Sequence, residues 1–249
     1  MHGLGLNSPA LVGRLTPSGT PDFTTGMTFD FNASLLTGLT HGGAVASFVE
    51  ASPNAITMVP GVGNNMTYDA TGANGLPCIA LPTGGATNYF LGPAVSPIPL
   101  STWLSASSFS IFAAVKQYGA QAMNTIIRLQ GTPTHLWYST YTNVFYADFP
   151  ETPNRLSASQ LSGWDDAWHV IEYHRSGGNK DMYVDGVSNG SAAGGTNLTV
   201  SGNYRIEMSS SGIPFAGQIR RLRVYNTVVA GTDRTFLRTK FGAEVGLTI

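Results

Sequence analysis

Two carboxylates on one face of a strand can cleave a glycosidic bond, one as acid and one as nucleophile, if an even number of positions separates them. The chain has glutamates at 50, 151, 172, 207 and 244, and none has an acidic residue two positions away. Asp165 and Asp166 are adjacent, so on a strand they would diverge; they are assigned to the loop before Trp168. The stretch "GVSNG", 186–190, has the G-x-S-x-G form, but a nucleophile elbow needs a helix after it. Here "SAAGGTN" follows, so Ser188 reads as a turn or strand residue. The five histidines, His2, His41, His135, His169 and His174, show no H-x-x-x-H or H-x-H spacing. His169 and His174 sit five apart on one predicted strand and must face opposite sides, so no transition-metal site is expected. The single cysteine, Cys78, lies beside Ile79 and Leu81 and reads as a buried, inert thiol. These residues point to a protein that is not an enzyme.

Binding chemistry is better represented. The run "THLWYSTYTNVFY" brings Trp137, Tyr138, Tyr141, Asn143 and Tyr146 together. Aromatic faces beside amides and hydroxyls suit sugar C–H surfaces, and the same residues are enriched at subunit contacts, so glycan contact, subunit contact and core packing all stay open. Trp103, Trp164 and Trp168 read as core or inter-sheet packing. Arg205 with Arg221 and Arg223 of "RRLR" forms a basic face, either solvated or paired with acids of a neighbouring subunit. Charged residues make up only 11% of the chain and the net charge is −1, which argues against a nucleic-acid groove or an anionic membrane partner. No apolar run reaches membrane-spanning length, and "MHGLGLNSPALVGRLTP" lacks the basic start and apolar core of a signal peptide. The expectation is synthesis in a cytoplasm without insertion into a membrane. Four Asn-x-Ser/Thr triplets, at 32, 65, 189 and 197, are chance matches in a Ser/Thr-rich chain on that expectation.

The elements that must carry these residues are strands. With 249 residues, 42% of them apolar, and 30 Gly and 14 Pro, the chain suits one large β sandwich with frequent turns. In "SFSIFAAVKQ", 108–117, Phe109, Ile111, Ala113 and Val115 share one face at period two. "TFDFNASLL", "AVASFVE", "ATNYFLG", "NTIIRLQG", "NVFYADF" and "NYRIEMSS" add further β-rich runs. "WHVIEYHRSGGNKDMYVDGV", 168–187, reads as strand, turn, strand, turn, reversed at Ser176–Asn179 and at Asp185-Gly186. In "FAGQIRRLRVYN", Ile219 is out of phase with Leu222 and Val224, and a bulge near Arg220-Arg221 would align them. The segment "GTDRTFLRTKFGAE" predicts one short helix of about three turns. Thr232 is its N-cap, Asp233 lies in the first turn, Leu237 and Phe241 share a face, Gly242 is the stop, and the helix docks on the sandwich edge. Residues 1–25 form an arm, and 26–249 form one domain.

The order of these segments resembles the concanavalin A-like lectin/glucanase superfamily, in the laminin-G-like jelly-roll form common in bacteriophage structural proteins. "FDFNASLLTGLTHGGAVASFVEASPNA" is similar to its opening strand and the V-x-x-W-x-D-x-S-G region, with Phe48 where Trp is usual and Glu50 where Asp is usual. "NGLPCIALPTGGATNYF", "FSIFAAVKQ", "WHVIEYHRSGGNKDMYVDGV" and "FAGQIRRLRVYNTVVAGTDRTFLRTKFGA" resemble the later segments, together covering roughly residues 28–243. The resemblance implies an all-β, two-sheet antiparallel sandwich with one short C-terminal helix. It also implies a non-enzymatic virion structural protein, associated with head or tail, that presents a lectin-like domain on the particle surface. Such a protein would join other virion proteins through its N-terminal arm, form a homo-oligomer, and stay in the host cytoplasm until release. The alternatives are a carbohydrate-binding adhesin that recognises a host-surface glycan and, third, a glycan-degrading enzyme. The family's glucanases carry E-x-D-x-x-E on one strand, which is absent here. Related domains often bind calcium at the sandwich rim. Asp165, Asp166 and Asp185 could supply oxygens, although Asp185 already fits a turn, so no cofactor is expected.

Overall fold

The computed structural model of the chain describes residues 22–63, 65–83, 88–94, 96–119, 123–131, 135–141, 144–149, 155–159, 164–193, 195, 202–209 and 214–249. Its strands are β1 (Met27–Asn32), β2 (Phe48–Val49), β3 (Thr57–Pro60), β4 (Thr67–Ala73), β5 (Leu76–Leu81), β6 (Phe90–Gly92), β7 (Ile98–Pro99), β8 (Ser108–Gln117), β9 (Met123–Gln130), β10 (His135–Tyr141), β11 (Val144–Phe149), β12 (Leu156–Ser159), β13 (Trp168–Ser176), β14 (Asn179–Val184), β15 (Val187–Ala192), β16 (Asn203–Met208) and β17 (Gly217–Tyr225). Helix α1 (Leu100–Trp103) is a single turn and α2 (Gly231–Val245) closes the chain. The strands form two antiparallel sheets. One runs β15-β14-β13-β8-β17-β5-β4, with β1 also on β17; the other runs β12-β11-β10-β9-β16-β6-β3-β2, with β7 on β16. This is the expected all-β sandwich.

Side-chain alternation explains the core. Phe109, Ile111, Ala113 and Val115 of β8 face the second sheet with Ile171, Tyr173, Leu222 and Val224, and meet Ile127, Leu129, Phe145, Ile206 and Met208. Trp103 and Trp164 are buried in the same cluster, and Trp168 packs against the apolar patch on the far side of the eight-stranded sheet. The bulge in β17 is real. Its register against β8 shifts between Ile219 and Arg221, which returns Ile219, Leu222 and Val224 to one face. The bulge also splits one edge of the strand, so that Gly217–Ile219 pairs with β5 and Arg221–Tyr225 with β1. Between β14 and β15, Asp185 and Gly186 both take positive φ, 49° and 81°, as a two-residue reversal requires.

Gly217 starts β17 where the backbone of β8 comes closest. A Cβ there would run into the Lys116 carbonyl oxygen and the Phe215 ring. Because the obstacle includes a backbone atom in a central strand, Gly217→Ala is expected to cost about 3 kcal/mol, measured by urea denaturation. A loss below about 1 kcal/mol would show that the strand can shift.

The helix departs from its sequence reading in three ways. It spans 15 residues, just over four turns rather than three. Its N-cap is Ala230, not Thr232, and its stop is Gly246 at φ 83°, not Gly242. Gly242 lies inside the helix, where the C-terminal Ile249 packs so closely that a Cβ would come within 2.7 Å of it. Third, α2 lies across the face of the eight-stranded sheet over β8, β13 and β17, not on an edge. Leu237, Phe241 and Val245 pack on Phe112, Ala114, Val170, Tyr225 and Met27.

Candidate functional site

The outer face of the eight-stranded sheet carries the densest charge of the described residues, and α2 seals it. Glu172 on β13 is fully buried and accepts from Arg234 Nε at 2.6 Å and Arg238 Nε at 2.5 Å, both on α2. The Arg234 guanidinium also stacks 3.6 Å over the Tyr183 ring. Burial raises the Glu172 pKa, but hydrogen bonds from His174, Arg238 and Arg234 outweigh it and bring the carboxyl down to about 2. A second cluster ties β17 to β1, α2 and the incoming chain. Arg223 donates to Asp22 and Asp30, Arg221 to Asp22 and Glu244, and Lys240 lies 2.9 Å from Asp22. The basic face read from sequence is therefore not a solvated face: Arg221 and Arg223 are buried and matched by acids of their own chain. Arg205 does not join them, because it lies on β16 in the other sheet.

One arrangement in this layer has the outline of a relay for nucleophilic catalysis. Ser110 Oγ lies 2.8 Å from His174 Nδ1, and His174 Nε2 lies 3.2 Å from Glu172 Oε2. Ser110 Oγ also accepts from the Val229 N–H at 2.9 Å. The ionised Glu172 can only accept, so Nε2 of the neutral His174 carries the proton and Nδ1 accepts from the Ser110 hydroxyl. All three side chains are buried beneath α2, so no substrate can approach the hydroxyl. The relay fastens the connection between β17 and α2. Sequence spacing gave no sign of it, because Ser110 and His174 meet only through the pairing of β8 with β13.

The outer face of the nine-stranded sheet differs. Phe145 and Ala147 of β11 point into the core, so Tyr146 between them points outward, and the Arg155 guanidinium sits 4.8 Å over its ring. On β16, Tyr204, Ile206 and Met208 point inward and Arg205 and Glu207 outward. Glu207 is cross-strand partner to Arg128 on β9, whose Nη1 donates to it at 3.2 Å. Strand β10, which carries Trp137, Tyr138 and Tyr141, runs between β9 and β11, with Leu136 opposite Arg128 and Trp137 opposite Ile127. The expected aromatic run thus lies on this sheet; Asn143 falls outside the described residues.

The remaining sequence candidates are structural. Asp185 accepts from the Val170 N–H and lies 2.6 Å from His169 Nδ1, closing the β14–β15 turn. His169 stacks on Trp164, on the opposite side of β13 from His174. Asp165 accepts from Gln117 Nε2, whose amide oxygen takes the Trp164 N–H, and Asp166 is exposed. Among the described residues no group of three or more His, Cys, Asp or Glu converges on a metal position. Glu50 is buried and accepts from the N–H groups of Asp30, Ser52 and Ile56, while Phe48 packs on Phe31 and Phe90. Ser188 is exposed on β15, as expected. Cys78 is buried, and desolvation pushes its thiol up to about 12.

No family model and no curated protein matches the chain. Solved structures do match. Domain 4 of AbnA, a GH43 extracellular arabinanase from Geobacillus stearothermophilus solved in complex with arabinotriose, aligns at TM-score 0.55 and 14% identity over 87% of this chain and 100% of its own. The binding domain of Paraclostridial Mosquitocidal Protein 1 aligns at 0.59 and 10% identity over 88% of this chain, and the botulinum neurotoxin serotype G binding domain at 0.56 and 13% over 87%. The chain spans about half the length of those two. At such identities the likeness establishes the fold alone, a two-sheet antiparallel β sandwich.

Proposed function

We propose that the chain is a non-enzymatic carbohydrate-binding domain that takes a glycan on the outer face of its nine-stranded sheet, along β10 and its neighbours. One observation carries this reading. The helix occupies the outer face of one sheet, whereas the other turns Tyr146 outward on the strand next to β10, with the Arg155 guanidinium over its ring. The fold shared with a domain solved with arabinotriose supports it.

The wider setting we propose is a bacteriophage particle, for which the sequence resemblance is the support. Asp22 and Phe23 are pinned on the α2 side, the carboxylate by Arg221, Arg223 and Lys240 and the ring on Tyr225 at 5.6 Å. On this reading the domain joins other virion proteins, and further copies of itself, through its N-terminal segment, while the nine-stranded sheet meets a host-surface glycan.

A glycan array followed by titration calorimetry tests the binding reading. The parent is expected to retain a defined set of sugars, and Tyr146→Ala to bind them about tenfold more weakly, roughly 1.4 kcal/mol. Absence of any carbohydrate binding would remove the reading, and hydrolysis of a bound polysaccharide would overturn its non-enzymatic part.

A further inference from the structure

We propose that His174 is an acid-sensitive latch: a proton added to its ring releases the connection between β17 and α2 while the sandwich stays folded. The ring joins three elements. Its Nδ1 accepts from the Ser110 hydroxyl on β8, its Nε2–H donates to Glu172 on β13, and Ser110 Oγ accepts the N–H of Val229, which lies between β17 and α2. Protonation turns Nδ1 from acceptor to donor. The ring N–H and the Ser110 hydroxyl proton would then face each other across 2.8 Å. The hydroxyl has to rotate, and it leaves the orientation in which it holds Val229.

The groups around the ring supply no spare negative charge. Glu172 is already shared by Arg234 and Arg238 of α2. Asp181 on β14 is the cross-strand partner of His174 and is half-buried. The remaining faces are aromatic: the Phe112 ring of β8 lies 5.4 Å away and the Tyr183 ring of β14 6.0 Å. Two carboxylates thus balance two guanidiniums, and an added proton leaves a net positive charge in a buried seam. Burial lowers the His174 pKa more than Glu172 raises it, and Arg234 adds to the lowering, so the closed state holds the ring neutral. The connection can also move by itself. Ala230 gives the start of α2 no side-chain cap, and Gly231 takes φ 57° with no atom within 4 Å of the place a Cβ would fill. Further along the helix, Leu237, Phe241 and Val245 are held by apolar packing that a proton does not disturb, so the release stops at the first turn.

Amide hydrogen exchange, read residue by residue by NMR, tests the latch. In the open state the ring titrates near its ordinary value of about 6.5, so between about pH 7.5 and about pH 5.5 the open population rises about tenfold. The Val229 amide is expected to lose protection by that factor once the intrinsic exchange rate is divided out. It should also exchange faster than Ile111 in the centre of β8, at a rate that dilute urea does not change, which marks a local opening. In His174→Gln, which cannot titrate, the pH dependence at Val229 should disappear. Unchanged protection of Val229 across this range overturns the proposal. So does equal protection at Val229 and Ile111 that falls together with urea, because the connection is then freed only by global unfolding. A tenfold loss that persists in His174→Gln overturns it as well and transfers the acid response to Asp181 or Glu172. Should the variant fail to fold, NMR titration of the His174 ring in the parent decides: a midpoint well below about 6.5 supports the latch, and one at or above that value overturns it.

Discussion

Replacing Glu172 by glutamine is expected to cost about 3 kcal/mol of stability and to lower the unfolding midpoint by roughly 6–12 °C. The carboxylate is fully buried, and two guanidiniums on α2 converge on it. Removing one member of such a cluster leaves its partners desolvated without compensation. The estimate sits at the low end of the usual range because Arg234 and Arg238 keep about a fifth of their surface exposed and can turn to water. The effect has a defined pH dependence. In the folded protein the Glu172 carboxyl titrates at about 2 against an ordinary 4.5, so its contribution is present above about pH 4.5 and is lost as pH falls toward 2. The difference between parent and variant should therefore be full at pH 6 and close to zero near pH 2. His174 adds a separate step in both proteins. Burial lowers its pKa more than Glu172 raises it, so the folded state holds it neutral and loses stability as pH falls through the unfolded-chain value of about 6.5. Urea denaturation across pH measures both steps, and a parent–variant difference that does not change with pH would refute the assignment.

Ending the chain at Ala230 is expected to abolish folding. Leu237, Phe241 and Val245 are buried against the sheet, and each contributes about 1.5–3 kcal/mol by leaving water. Together that approaches the whole net stability of a typical domain, about 5–15 kcal/mol. The truncation also strips Glu172 of both arginines, Arg221 of Glu244 and Asp22 of Lys240. Unlike a detachable surface helix, α2 neutralises a charged layer that the sheet cannot leave bare. Soluble yield and the circular dichroism melting curve provide the check; a cooperative transition within a few degrees of the parent would disprove it.

The sequence reading succeeded where the determinant is local. The period of β8, the Asp185-Gly186 reversal and the out-of-phase Ile219 each express a rule spanning a few residues, and each reappears in the fold. It failed where partners are distant. Arg221 and Arg223 looked like a solvated face because nothing near them in sequence shows that Asp22, Asp30 and Glu244 converge there. The site of helix docking did leave a trace. Phe112 and Ala114 interrupt the polar alternation of β8, as do Val170 and Ile171 in β13, and a strand apolar on both sides must be covered on both. The aromatic run of β10 was visible directly, but Arg128 and Arg155 join it only through strand pairing that the sequence does not announce.

Strand β17 sits between β8 on one edge and β5 and β1 on the other, yet it comes last in sequence among the described strands. The Thr28 hydroxyl donates to the Val224 carbonyl across 196 residues of sequence. The early strands therefore keep open edges until β17 has been made. Closing the first sheet relies on contacts of very high sequence separation, so it is expected to form slowly beside a local hairpin such as β13–β14.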